Sequence, residues 1–99
     1  MRDEASPDGQ VSRNADASQF EIRSDNELAT LRYHEGIGHI TLVHTEVPPA
    51  LEGRGYASAL VRAGLEYARA AGLRVIPVCP FVRAYLDRHP EYVELTKPR

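Results

Sequence analysis

The chain changes its hydrophobic period once, sharply, and that change constrains most of what it can fold into. From Ile37 to Val47 (IGHITLVHTEV) it reads as a strand rich in β-branched residues. Pro48-Pro49 stops the strand. From about Gly55 the period becomes helical. Ala57, Leu60, Val61, Gly64, Leu65 and Ala68 fall on one stripe, and Arg62, Glu66 and Arg69 occupy the other side. Gly72 ends the helix, and Leu73 to Val78 reads as a short buried strand. Strand, loop, helix and strand in so short a stretch place the two strands side by side and parallel, joined by a right-handed crossover.

The flanks complete the expected architecture. Upstream, Phe20 and Ile22 alternate with charged neighbours, and Leu28, Leu31 and Tyr33 form a second run. The links between runs are short and polar, which favours an antiparallel meander. In the long strand Ile40, Leu42, His44 and Glu46 share one face, and Thr41, Val43, Thr45 and Val47 share the other. Apolar groups on both faces predict a central strand covered on two sides. Downstream, Pro80 suits the first position of a second helix, which makes Cys79 its N-cap. Phe81, Val82, Tyr85 and Leu86 form that helix's buried stripe, His89-Pro90 ends it, and Tyr92-Val93 and Leu95 tuck back. The fold class is α/β: a mixed antiparallel and parallel sheet with two helices. Residues 1–16 offer only Met1 and Val11 as sizeable apolar groups, so they read as a disordered N-terminal arm ahead of a domain spanning 17–99.

Composition excludes several functions. A chain of 99 residues holds one small domain, marginal alone, so a monomer or weak homodimer is expected. The formal charge is −2, from 12 Lys+Arg against 14 Asp+Glu, which argues against a nucleic-acid partner. No run approaches the roughly 18 apolar residues of a membrane span. Met1-Arg2-Asp3-Glu4 leads into no apolar segment, so no secretory signal is expected. Cys79 is the sole cysteine; it allows no internal disulfide and suits a reducing cytoplasm.

Three features carry chemistry. Glu52-Gly53-Arg54-Gly55-Tyr56-Ala57-Ser58 bridges strand and helix. Two glycines and a helix N-terminus can present successive N–H groups to a diphosphate without any side-chain cation. The plainer reading is a tight turn. The stretch is no P-loop, since no Lys-Ser/Thr pair follows, and it lacks the third glycine of a dinucleotide fingerprint. Cys79, at a helix N-cap, is placed for a stabilised thiolate, against the plainer reading of a small buried hydrophobe. His44 is a candidate base, with Glu46 second, against a core histidine and a loop-edge charge. His34 and His39 match no zinc spacing and read as solvated; no metal is expected.

Taken together, His44-Thr45-Glu46-Val47-Pro48, Glu52 through Val61, Val75 through Val82 and Arg88-His89-Pro90-Glu91-Tyr92 resemble the short subgroup of the GCN5-related N-acetyltransferases, over about residues 19–95. In that superfamily the loop reads Gln/Arg-x-x-Gly-x-Gly/Ala and binds the acetyl-CoA diphosphate through backbone amides. Gly55 and Ala57 match, while Glu52 holds the Gln/Arg position. The resemblance implies a minimal acyltransferase fold with acetyl-CoA as co-substrate. It implies coenzyme contacts from Val47, Gly53, Arg54, Gly55, Tyr56, Ala57, Ser58, Cys79 and Pro80, with His44 and Cys79 as catalytic candidates. The pantetheine would run between strands parting near Pro48 and Pro77. The chain departs from longer members in having no N-terminal helical pair and no clear counterpart of the tyrosine that protonates the departing thiolate; Tyr85 lies too early in its helix. The expected activity is acetyl transfer to a small-molecule or peptide amine, directly or through an acyl-Cys79. The alternatives are a coenzyme-sensing module with little turnover and, last, a Cys–His hydrolase.

Overall fold

In the computed structural model, which describes residues 10–98, backbone pairing begins earlier than the hydrophobic pattern does. A short strand β1 (Ser12–Asn14) pairs antiparallel with β2 (Gln19–Ser24). The expected disordered arm therefore ends too late in the sequence reading; its residues 1–9 lie outside the described residues. The strand was missed because apolar burial does not hold it. Arg13 donates to the Tyr33 hydroxyl at 3.1 Å and sits 4.4 Å over the Tyr67 ring. The Asn14 side chain accepts from the Ala17 N–H and donates to Glu21.

The meander continues through β3 (Glu27–Gly36) and β4 (His39–Glu46). Asp25 and Asn26 both have positive φ and turn the β2–β3 hairpin. A 3-10 turn (Pro49–Leu51) leads to helix α1 (Tyr56–Ala71), and β5 (Arg74–Pro77) returns parallel to β4. Helix α2 (Pro80–Arg88) and a second 3-10 turn (Pro90–Thr96) close the chain. The sheet has the order β1-β2-β3-β4-β5, so the meander and parallel crossover expected from the sequence are both present.

One face of the sheet is covered. Ile22, Leu31, Ile40, Leu42 and Val75 meet Leu60, Val61 and Leu65 of α1, all of them essentially solvent-free. Each such side chain stabilises the fold by about 1.5–3 kcal/mol. Gly64 lets α1 come down onto this face: a β-carbon there would lie 3.2 Å from Leu31 and 3.6 Å from Leu42 and Phe20. Helix α2 packs beside α1 through Val82, Tyr85 and Leu86. The tail folds back as expected, burying Tyr92 and Leu95, with the Tyr92 hydroxyl donating to Glu66.

Among the described residues nothing covers the other face, which corrects the expectation of a strand covered on both sides. Arg23, Arg32, His34, His44 and Glu46 stand exposed on it. The alternation in β4 is also broken. Tyr33 lies opposite Leu42, and Arg32 lies opposite His44, so Val43 is an extra residue. Thr45 then falls opposite the buried Leu31. The bulge returns Thr45 to the covered face and leaves His44 and Glu46 on the bare one. The period-two reading, which set His44 beside Leu42, fails for this reason.

Candidate functional site

The parallel ladder between β4 and β5 ends at Leu42 and Pro77. Pro77 has no N–H to extend it, and past that point the two chains separate. Cys79 closes the end of the ladder, its N–H donating to the Leu42 carbonyl at 2.9 Å. Beyond the gap, Leu51 is fully buried and sets the floor from which the glycine loop rises.

That loop is built around Gly55, the N-cap of α1, with φ +80° and no side chain to cap the helix. An L side chain is strained at this φ, and nothing lies within 4 Å of where a β-carbon would be, so the space above the loop is open. The first internal helical bond runs from Ala59 N–H to the Gly55 carbonyl. Among the described residues no acceptor takes the amides of Gly53 through Ser58. They form a row of free donors at the positive end of the helix. The loop is fastened from the side. Arg54 pairs with Asp25 at 3.0 Å and reaches Ser24, and the Tyr56 hydroxyl also donates to Ser24. The Ser24 hydroxyl and then the Arg54 guanidinium hold the Tyr56 phenol below its ordinary value. The β2–β3 hairpin thus anchors the side chains of Arg54 and Tyr56.

The loop opens onto a cavity of about 430 Å³. Of the expected coenzyme contacts, Val47, Gly53, Gly55, Tyr56, Ala57 and Ser58 line it. Arg54 is not among the lining residues, its side chain being committed to Asp25. Pro80 is exposed and does not line the cavity. Four residues join that the sequence reading did not assign to it: Thr45, Leu51, Glu52 and Phe81. Phe81, expected in the buried stripe of α2, is 37% exposed and forms a wall. Glu52 is the acidic residue of this lining.

The two catalytic candidates are not brought together. His44 lies on the bare face opposite Arg32, and Glu46 opposite Thr30. Neither lines the cavity. Cys79 is buried behind the wall, its Sγ 3.4 Å from the Thr45 hydroxyl. Burial pushes this thiol up. The Thr45 hydroxyl and the backbone amides of Val82, Phe81 and Thr45 outweigh burial and hold it below the ordinary thiol value. The N-cap position of Cys79 is as expected, and its partner is Thr45 in place of His44. Among the described residues no cluster of three or more His, Cys, Asp or Glu could hold a metal ion, and no helix is long and apolar enough to cross a membrane.

Comparison with known proteins agrees with this fold. The sequence pattern described as GCN5-related N-acetyl-transferase matches residues 19–95. Protein NATD1 of Gallus gallus is 32% identical over 94 residues, covering 90% of this chain and 86% of its own. Protein NATD1 of Homo sapiens is 33% identical over 85 residues, covering 81% and 75%. In three dimensions, a GCN5-like protein of Staphylococcus aureus solved by NMR superposes with a TM-score of 0.69 at 27% identity, over 89% of this chain and 87% of that one.

Proposed function

Since the chain belongs to the GCN5-related N-acetyltransferase family, we propose that it moves an acetyl group from acetyl-CoA to an amine. One observation carries the reading: the free amides of Gly53 through Ser58 open onto a cavity walled by Val47, Leu51 and Phe81. Amides and helix dipole suit a diphosphate, and the apolar walls suit the pantetheine arm. Thr45 and Val47 lie where β4 has lost β5 as a neighbour, so the strand edge beside them is open to the arm's amide groups.

In the transfer a neutral amine attacks the thioester carbonyl. A C–N bond forms, the C–S bond breaks, the ammonium nitrogen loses its proton and the departing thiolate takes one up. Held side by side, the two reactants need little beyond proximity and a proton acceptor. His44 and Glu46 are not placed to touch the thioester from the bare face. Cys79 lies behind Thr45 and does not line the pocket, and transfer is direct. A second reading, a coenzyme-binding module with little turnover, is favoured by the absence of His44 and Cys79 from the cavity lining.

Thermal melting with coenzyme and release of free thiol separate the two. Acetyl-CoA at 100 times its Kd adds about 2.7 kcal/mol to the folded state, or ten degrees or more at about 4–8 °C per kcal/mol. The transferase predicts this shift together with thiol release for at least one amine among polyamines, amino acids and lysine peptides. A shift without release across the panel supports the binding module. No shift at millimolar acetyl-CoA overturns both.

A further inference from the structure

Two valines leave the sheet at the same place. On β4, Val43 is the extra residue of the bulge against β3. On β5 the hydrogen bonds skip Val78. A regular parallel ladder, starting from the Arg74 N–H on the Gly38 carbonyl, reaches the Leu42 carbonyl from Val78. Instead Cys79 N–H takes that carbonyl, and Val78 N–H turns back to Ile76. The two valines are the first residues past the last ladder pair, Leu42 and Pro77. They are 42% and 50% exposed, and Phe81, three residues beyond Val78, is 37% exposed. Among the described residues these are three of the five exposed large apolar side chains, so the exposure is gathered at the gap and not scattered singly.

Neither valine lines the coenzyme cavity, whereas Thr45 and Phe81, close by in the chain, do. An arm that leaves the glycine loop and follows Val47 and Thr45 ends at this rim, so the thioester meets whatever the rim holds. The charge at the rim is positive. Arg83 Nη1 donates to the Val78 carbonyl at 3.2 Å, and among the described residues no carboxylate pairs with Arg83. Glu46, the next acid along β4, lies beyond the bulge opposite Thr30. Apolar surroundings and a neighbouring cation both favour an amine in its neutral form, which is the form that attacks. The rim thereby does for the acceptor what no base in the cavity does, since neither His44 nor Glu46 lines it. The gain is largest for an amine that is weakly basic at the outset. An α-amine titrates near about 8 and a lysine side chain near about 10.4.

We infer that Val43 and Val78 seat the acceptor, and that the acceptor is the α-amine of an amino-acid amide or peptide that begins with an apolar residue. The neutral amine forms the C–N bond, the C–S pair leaves on sulfur, and the proton given up by nitrogen is taken by that sulfur, which yields the N-acetyl product and CoA thiol. The inference rests on the acetyl-CoA reading above, and the test keeps the two apart. Thiol release by the full chain at about pH 7.5 compares leucinamide, glycinamide, Nα-acetyl-lysinamide and spermidine. The kcat/KM for leucinamide should exceed that for glycinamide by about tenfold or more. The lysine side chain and spermidine should fall below leucinamide by at least about tenfold. Val43→Ser and Val78→Ser should each bring leucinamide down several-fold toward glycinamide, with the acetyl-CoA Kd and the melting midpoint held. Ile37→Ser, the same kind of change at a fully exposed residue of the β3–β4 turn, should alter no rate. Glycinamide or spermidine equalling leucinamide, or a leucinamide preference that survives both valine substitutions, overturns the inference while the transferase reading stands. Acetyl-CoA binding without thiol release from any amine overturns the transferase reading and the inference with it. Absence of acetyl-CoA binding overturns the coenzyme reading itself.

Discussion

The two halves of β4 have different jobs. From His39 to Leu42 the strand is paired on both sides, with β3 and β5, and its inward residues Ile40 and Leu42 see no solvent. From Val43 to Glu46 only β3 remains, and the inward residue Thr45 faces a cavity. One extra residue separates the halves. A complete ladder under a helix is a place to store stability. An incomplete one leaves backbone groups and side chains available to a ligand, and the bulge decides which side chains those are.

Substitution on each side should break the contrast if it is wrong. Leu42→Ala, in the closed half, should cost about 2–5 kcal/mol and lower the melting midpoint by ten degrees or more. Val47→Ala, just past the open half, should cost less than about 1 kcal/mol yet weaken acetyl-CoA binding several-fold. Equal stability losses at both positions would erase the distinction.

Gly55→Val should cost about 1–2 kcal/mol in backbone strain at φ +80°. Its sharper consequence is loss of the ligand-induced rise in melting temperature, because the new side chain fills the space above the amides. A retained rise would mean that the ligand is gripped elsewhere.

Smaller effects sharpen the picture of the wall behind the cavity. Thr45→Val removes the hydroxyl at 3.4 Å from the Cys79 sulfur. The thiol pKa should rise, seen as an upward shift of the thiolate's ultraviolet titration, with stability changed by about 1 kcal/mol or less. An unchanged titration would assign the lowered value to the backbone alone.

The smallest effect lies outside the loop. The hydrogen bond to Glu66, helped by burial, pushes the Tyr92 phenol up to about 12. A phenol raised on folding stabilises fully below its unfolded value of about 10, and that contribution fades as pH climbs from about 10 to about 12. Tyr92→Phe should therefore flatten the alkaline fall in melting temperature slightly and leave coenzyme binding untouched.

What the sequence disclosed follows from what side-chain periodicity can report. The α1 stripe, the parallel return of β5, the N-cap at Cys79 and the folded-back Leu95 all rest on apolar spacing or on proline and glycine, which act locally. The glycine loop was legible for the same reason. β1 was not, because Ser12, Arg13 and Asn14 are held by backbone pairing and a cation over an aromatic ring. The Val43 bulge was not, because one inserted residue in a β-branched run leaves no compositional mark. Missing it moved His44 and Glu46 to the wrong face and hid Thr45. Phe81 was read as core because a helix stripe does not tell a buried side chain from one that walls a cavity. The resemblance over 19–95 supplied the expectation of a coenzyme, and the geometry supplied Thr45, Leu51 and Phe81 as cavity lining.

Amide chemical-shift titration of the ¹⁵N-labelled full chain with acetyl-CoA tests most directly whether the loop grips the ligand. Saturation should move the resonances of Gly53, Gly55, Tyr56, Ala57 and Ser58 furthest and leave those of Arg13 and Asn14 in place. A saturable titration that leaves the loop amides unmoved would contradict the account.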